Sequence, residues 1–308
     1  MNIFFFIAVM RDFEAENLKK KRVARLSILS NTFLVFMKLG AGLAVGSISI
    51  ISEAVHSAVD LIASAIAYIS VKKSAVPPDM CHEYGHGKFE DMSGIIEALL
   101  IVVASLIILY EAVMNLVSGH DIASEQLLSV GIAVMLISTI MNLYVSTKLF
   151  SVAKDTGSIA LESDAWHLRT DVFTSAGVMV GLILIRITGF VQFDAIIAIG
   201  ISFVILHAAH DLIKRSFAHL TDRSLPDDEM EEIREVLMRF CGNNVSFHAI
   251  RSRRAGPDRF VEFHLTVPGD SSVNDSHELT DRIEAALKSK LGRIFVTIHV
   301  EPAKNKKD

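Results

Sequence analysis

The sequence predicts an α-helical membrane protein with six transmembrane helices of 3+3 inverted-repeat character, followed by a small cytoplasmic α+β domain of order αββαβ. Three observations carry that expectation. Of 308 residues 51% are hydrophobic and the mean hydropathy is +0.43, too apolar for a soluble chain of this length. Six apolar stretches approach the ~20 residues that cross a bilayer. Beyond Asp222 the composition turns charged and alternating. The expected division is an N-terminal segment, 1–25, a transmembrane domain, 26–214, and a C-terminal domain, 215–308.

The apolar stretches fall at about 27–50, 51–72, 92–117, 127–148, 158–187 and 190–213. The leading MNIFFFIAVM is too short to span and lacks the basic front and cleavage site of a signal peptide. It is either an extension or lies before a start at Met10. Positive loops stay on the cytoplasmic side. With the N-terminus inside, the inner segments hold Lys19, Lys20, Lys21, Arg22 and Arg25, then Lys72, Lys73 and Lys88, then Lys148 and Lys154, against Arg186 outside. Both termini then face the cytoplasm from the cell (inner) membrane. Cys81 and Cys241 would sit in a reducing compartment and need not pair. The net charge of −5 gives no sign of nucleic-acid binding.

Ionisable side chains are costly at bilayer depth and mark functional positions there. Two stretches share one frame: SEAVHSAVDLIAS, from Ser52 to Ser64, and SDAWHLRTDVFTS, from Ser163 to Ser175. This internal repeat occupies the second and fifth spans, which the charge rule runs in opposite directions, the plan of many transporters with a site at the midplane. Each His lies ~10 residues inside its span, about half of a ~30 Å core. In each copy His and Asp are four apart, on one helix face. Two such faces opposed give His56, Asp60, His167 and Asp171, two imidazoles and two carboxylates. That four-ligand tetrahedral set suits Zn²⁺, whereas Mg²⁺ or Ca²⁺ wants more oxygens. Glu53 and Asp164, three residues before each His, lie near the same face; the spacing fits groups beside the site and leaves a ligand role open. Gly42 with Gly46, and Gly177 with Gly181, have the spacing that lets helices approach closely.

The stretch PPDMCHEYGHGKFE holds a literal H-E-x-x-H at His82-Glu83-Tyr84-Gly85-His86. In zinc proteases that pattern works on a helix. Here Pro77 and Pro78 precede it and Gly85 and Gly87 interrupt it, so the helix it needs is disfavoured. No third protease ligand is evident, and the protein is not expected to be an enzyme. In the C-terminal domain, 227–240 and 273–291 have helical periodicity, while VSFHAIRSRR, DRFVEFHLTV and RIFVTIHVEP alternate as strands. His248, His264, His277 and His299, with Glu301, concentrate metal-ligand chemistry there.

With these motifs in place the chain resembles the cation diffusion facilitator family, zinc-exporting type, over roughly residues 20–302. The likeness rests on the two HxxxD stretches, on HEYGHGKFE, on LTDRSLPDDE and on the histidine-bearing tail. It implies a homodimer with a metallochaperone-like cytoplasmic domain, exchanging cytoplasmic Zn²⁺ for protons. Members of the best-understood type carry two Asp in the second span, where this chain has His56 before Asp60. Manganese-type members replace the fifth-span His with Asp, so His167 favours zinc. Cd²⁺, Fe²⁺ and Co²⁺ stay open as substrates, because one four-ligand set accepts several ions. The resemblance maps Asp79, His82 and His86 to a second metal site in the loop, with Cys81 a neighbour. It maps His248, His264, His277, His299 and Glu301 to a two-zinc site in which Glu301 replaces the usual Asp. Lys88 and Asp222 resemble the charged pair that ties the two domains together. The rival readings are a membrane metal sensor that moves no ions and, against the loop's composition, a protease using His82, Glu83 and His86.

Overall fold

The structure, a computed structural model, describes residues 3–45, 48–118, 125–188, 192–242 and 244–303. Met1 and Gly46, both used above, lie outside these residues. The chain forms two compact units: one is Phe13–Phe217, and the other begins at Ala218 and also takes in the N-terminal residues up to Asp12. Six long helices run through its apolar part: α1 Ile3–Val45, α2 Ile48–Ser74, α3 Lys88–Ser118, α4 Glu125–Thr156, α5 Ile159–Thr188 and α6 Gln192–Leu220. A bilayer offers the backbone no hydrogen-bond partners, so uniformly apolar stretches of this length close their bonds internally as helices.

Among the described residues, five of the six are long and apolar enough to cross a membrane. α5, 30 residues long, carries Glu162, Asp164, Arg169 and Asp171 in its first half and an uncharged run, 172–185, in its second. Large apolar side chains such as Phe33, Phe36, Tyr110 and Val117 face outward, where lipid rather than water suits them. Small residues face inward: Ala63, Ala67, Ala98, Ala160, Ala165 and Ala209 are wholly buried. Two glycines are close-approach positions. A Cβ on Gly42 would lie 2.8 Å from Ile51 Cγ1, and one on Gly177 2.1 Å from Ile201 Cδ1.

The contacts between α2 and α5 fix their relative direction. Ser64 meets Asp164 at 3.0 Å, Asp60 meets His167 at 3.0 Å, and His56 meets Asp171 at 3.5 Å. As residue number falls along α2 it rises along α5, so the two copies of the repeat are antiparallel, in steps of about one helical turn.

Nearer the C-terminal end of α2 lies a second polar centre. Lys20 Nζ of α1 and Glu90 Oε1 of α3 are 2.7 Å apart, both side chains wholly buried. Ser74, the last residue of α2, donates to the same oxygen at 2.6 Å, and Ser158, before α5, donates to Oε2. Lys20, one of the basic run counted on the inner side, is therefore an interior residue joining α1, α2, α3 and the start of α5.

The second unit holds α7 Asp227–Met238, β1 Ser246–Ala255, β2 Asp258–Val267, α8 Val273–Leu291 and β3 Ile294–Pro302, the expected αββαβ order. The sheet order is β1-β2-β3, with β1 and β2 antiparallel and β2 and β3 parallel. Its core is Ile233, Val236 and Leu237 of α7, Val261, Phe263 and Leu265 of β2, and Ile283 and Leu287 of α8. Ser272 caps α8: its hydroxyl accepts from Asp275 N, while Asp275 reaches back to the Ser272 amide. Gly292, at φ +71°, ends the helix in a conformation other residues resist.

Candidate metal centres

Among the described residues three clusters of His and acid side chains emerge, one within a single loop and two from residues distant in sequence. In the first, α2 contributes His56 and Asp60 and α5 contributes Asp171, while His167 of α5 adjoins the three through Asp60. His167 Nε2 lies 3.0 Å from Asp60 Oδ1; His56 Nε2 lies 3.9 Å from the same oxygen and 3.5 Å from Asp171 Oδ1. The four form a chain, His167 to Asp60 to His56 to Asp171, and all line a cavity of about 620 Å³. Their environments differ. Asp60 and His167 are buried, whereas the His56 side chain is 49% exposed to the cavity side.

Amides and hydroxyls that sequence spacing did not single out hold Asp171 of this set and the neighbouring Asp164. Asn142 Nδ2 of α4 donates to Asp171 Oδ2 at 3.1 Å. Asn31 of α1 donates to Ser64 Oγ at 2.6 Å, and Ser64 in turn donates to Asp164 Oδ1 at 3.0 Å. The available signal was an amide in an otherwise apolar helix, a group that needs a partner at that depth. Glu53 and Asp164 are not in the cluster: Asp164 is held by Ser64, and Glu53 pairs with Lys38 of α1 at 3.0 Å.

The second cluster sits between α2 and α3. The HEYGH stretch is turns, and α3 begins only at Lys88, so the protease geometry is absent and Glu83 is exposed. Asp79 Oδ1 accepts from the backbone amides of His82 at 2.7 Å and Cys81 at 2.9 Å. Those amide bonds hold the Asp79 carboxyl below its ordinary range, ready as an anion. Asp79 lies 3.6 Å from His82 Nδ1 and 3.4 Å from His86 Nε2. His86 Nδ1 faces the Val76 carbonyl at 3.2 Å and must donate to it, which leaves the buried Nε2 lone pair turned to Asp79. Cys81 is exposed and outside the cluster.

The third cluster, His248, His264 and Glu301, lies on a row of histidines across the C-terminal sheet, with His299 at the end of the row and outside the cluster. His248 pairs with His264, and His264 with His299, at one register level of all three strands. Ring centroids are 5.0 and 4.8 Å apart. Glu301, two residues beyond His299 on the same face, reaches 3.1 Å from His248 Nε2 and 3.7 Å from His264 Nδ1, so its longer side chain does reach the row. His277 stands apart on α8, exposed beside Asp281 at 3.8 Å. Lys88 opens α3, and Asp222, at φ 55°, is 3.3 Å from Arg253.

Zn²⁺ with ligand bonds of ~2.0–2.1 Å in a tetrahedron holds neighbouring ligand atoms ~3.3 Å apart. The His-to-carboxylate separations given above, 3.0 to 3.9 Å, bracket that edge, and the ligand atoms of His56, Asp60 and Asp171, of Asp79, His82 and His86, and of His248, His264 and Glu301 lie within 4.8 Å of one another in each group.

The sequence pattern of the cation efflux transmembrane domain matches residues 24–221. The chain belongs to the cation efflux family. The cytoplasmic domain of cation efflux proteins matches residues 225–303 of this cation efflux protein. The family consists of transporters, and this member is not an enzyme. The uncharacterized transporter sll1263 of Synechocystis is 36% identical over 92% of this chain and 91% of its own length. The cation-efflux pump FieF of Pectobacterium atrosepticum is 30% identical over 91% of this chain and 93% of its own length. The metal-bound C-terminal domain of the CzcD transporter from Thermotoga maritima is 41% identical over 26% of this chain and 93% of its own length, with a TM-score of 0.24.

Proposed function

We propose that this cation efflux protein exports Zn²⁺ from the cytoplasm in exchange for protons, as a homodimer, through His56, Asp60, His167 and Asp171. One observation supports the reading: the two copies of the repeat bring His56 and His167 beside Asp60, and His56 beside Asp171, in the wall of one cavity. The set is softer than the all-oxygen sites that favour Mg²⁺ or Ca²⁺, and two imidazoles suit Zn²⁺ over Mn²⁺. Metal binds deprotonated imidazoles and ionised carboxylates, so protons and metal compete for the same atoms. Antiparallel helices meeting at mid-depth are the arrangement that rocking transporters use to expose a fixed site to each side in turn. The loop cluster and the histidine row are accessory Zn²⁺ sites, and metal on the row favours whichever dimer arrangement binds it.

Liposomes containing the purified protein and an internal zinc-sensitive dye test the reading. Zinc flux should rise with an opposed proton gradient and vanish in Asp60→Ala and in Asp171→Ala. Flux that persists in both variants sinks the site, and metal binding without flux in the unmodified protein sinks the transport reading.

A further inference from the structure

The repeat that aligns the two histidines also sets an acid three residues before each, Glu53 before His56 and Asp164 before His167. Because α2 and α5 are antiparallel, the two acids bracket the site from opposite ends. Their partners differ in kind. Asp164 is wholly buried and accepts from the neutral Ser64 hydroxyl at 3.0 Å. Glu53, with its side chain 48% exposed, is held by the ammonium of Lys38 at 3.0 Å, and that lysine side chain is only 7% exposed. Lys38 and Glu53 line the same cavity as His56, Asp60, His167 and Asp171.

Lys38 carries a charge into the apolar part of α1, where an ammonium is costly unless an anion faces it. Its three donors and lack of an acceptor mean that, while protonated, it can satisfy a carboxylate but never ligate a metal. Glu53 lies one helical turn from His56, on the face that carries the ligands. A carboxylate placed there without a partner would turn to a divalent ion in the cavity and add a third oxygen donor to the set. Extra carboxylate oxygen favours Mn²⁺ and Mg²⁺, which want higher coordination, over tetrahedral Zn²⁺.

We propose that Lys38 is a tethered cation that occupies Glu53, keeps that carboxylate out of the transported ion's ligand set, and so makes the site selective against oxygen-preferring divalent ions. The inference rests on the transport-site reading above and assigns its selectivity to a residue pair outside the four ligands. It also explains why equivalent acids of one repeat can differ: a bare acid is tolerated beside the ligands only where hydroxyls or a cation hold it.

Equilibrium titration of the full-length protein with Zn²⁺ and with Mn²⁺, taking as transport-site signal the part lost in Asp60→Ala, tests this. Lys38→Met should narrow the Zn²⁺ over Mn²⁺ affinity ratio by ~10-fold or more, the scale on which one added carboxylate changes a site. Lys38→Met with Glu53→Gln should restore the ratio to within ~3-fold of the unmodified protein, since neither group is a ligand. An unchanged ratio in Lys38→Met, or a double variant that behaves like Lys38→Met, overturns the proposal. If Lys38→Met does not fold, the double variant decides alone: a Zn²⁺ affinity within ~3-fold supports the proposal, and a loss of ~10-fold or more shows that Glu53 is already a ligand. A signal unaffected by Asp60→Ala overturns the transport-site reading and this proposal with it, whereas an intact signal with an unchanged ratio overturns this proposal only.

Discussion

Glu90→Gln changes one atom at the polar centre that joins four parts of the helical unit. The amide keeps the shape of the carboxyl but removes the charge facing Lys20, 2.7 Å away, and both side chains are 0% exposed. The ammonium is then left in the interior without its counter-charge. Breaking a buried pair by removing one partner costs ~3–5 kcal/mol. At ~2–4 °C per kcal/mol for a domain of ~200 residues, the melting temperature should fall by roughly 10 °C. Heating the purified full-length protein in detergent and following the fraction that stays monodisperse measures the shift. The double substitution Lys20→Met with Glu90→Gln should recover more than half of it, because no ammonium remains to need a counter-charge and the amide still bonds the Ser74 and Ser158 hydroxyls. A Glu90→Gln melting temperature within ~2 °C of the unmodified protein would refute the argument, since no buried ammonium loses its partner at so small a cost.

Glu229 gives a pH-dependent prediction in the C-terminal unit. Burial opposes its ionisation, but hydrogen bonds and charge from Arg259 and Arg254 outweigh burial and hold it below its ordinary value. A carboxyl depressed on folding stabilises above its unfolded value and loses that contribution as pH falls through the folded one. Glu229→Gln should therefore cost ~1–2 kcal/mol at pH 7, with the gap closing below about pH 4.5, read from melting curves of the full chain. In the loop, Glu83→Gln should leave Zn²⁺ binding within ~2-fold while Asp79→Ala lowers it by ~10-fold or more, by calorimetric titration; equal losses would return Glu83 to the site. In the sheet, His264→Ala removes the middle of the row and should weaken Zn²⁺ binding there by ~10–100-fold. An unchanged titration would show that the row holds no metal.

The four residues between α2 and α5 are legible in the sequence because their spacing repeats: a His and an Asp four apart share a face wherever a helix forms, and a second copy supplies the opposing face. The strands of the C-terminal unit are legible for the same local reason, alternation. What spacing does not contain is the partner across space. Lys20 reads as one more residue of the basic run on the inner side, yet it is wholly buried against Glu90, 70 positions away. Lys38 and Glu53 read as isolated charges until α1 and α2 pack. The level alignment of His248, His264 and His299 depends on strand register, which is set by long-range pairing rather than by any one strand. His277 shows the converse: composition groups it with the other histidines, while its helix sets it elsewhere.

The antiparallel count between α2 and α5 has a consequence for how this site can change over time. Each contact level is a residue from one helix read forwards and one read backwards, so substitutions act level by level, but a single inserted or deleted residue does not. An insertion between His56 and Ser64 would rotate everything beyond it by ~100° and carry at least one ligand off the shared face. A four-residue insertion would restore the face but displace the levels by a full turn, setting residues beside each other that never met before. New metal preferences can therefore arise here by exchanging letters, while the length of α2 through this stretch is fixed by α5, and that of α5 by α2.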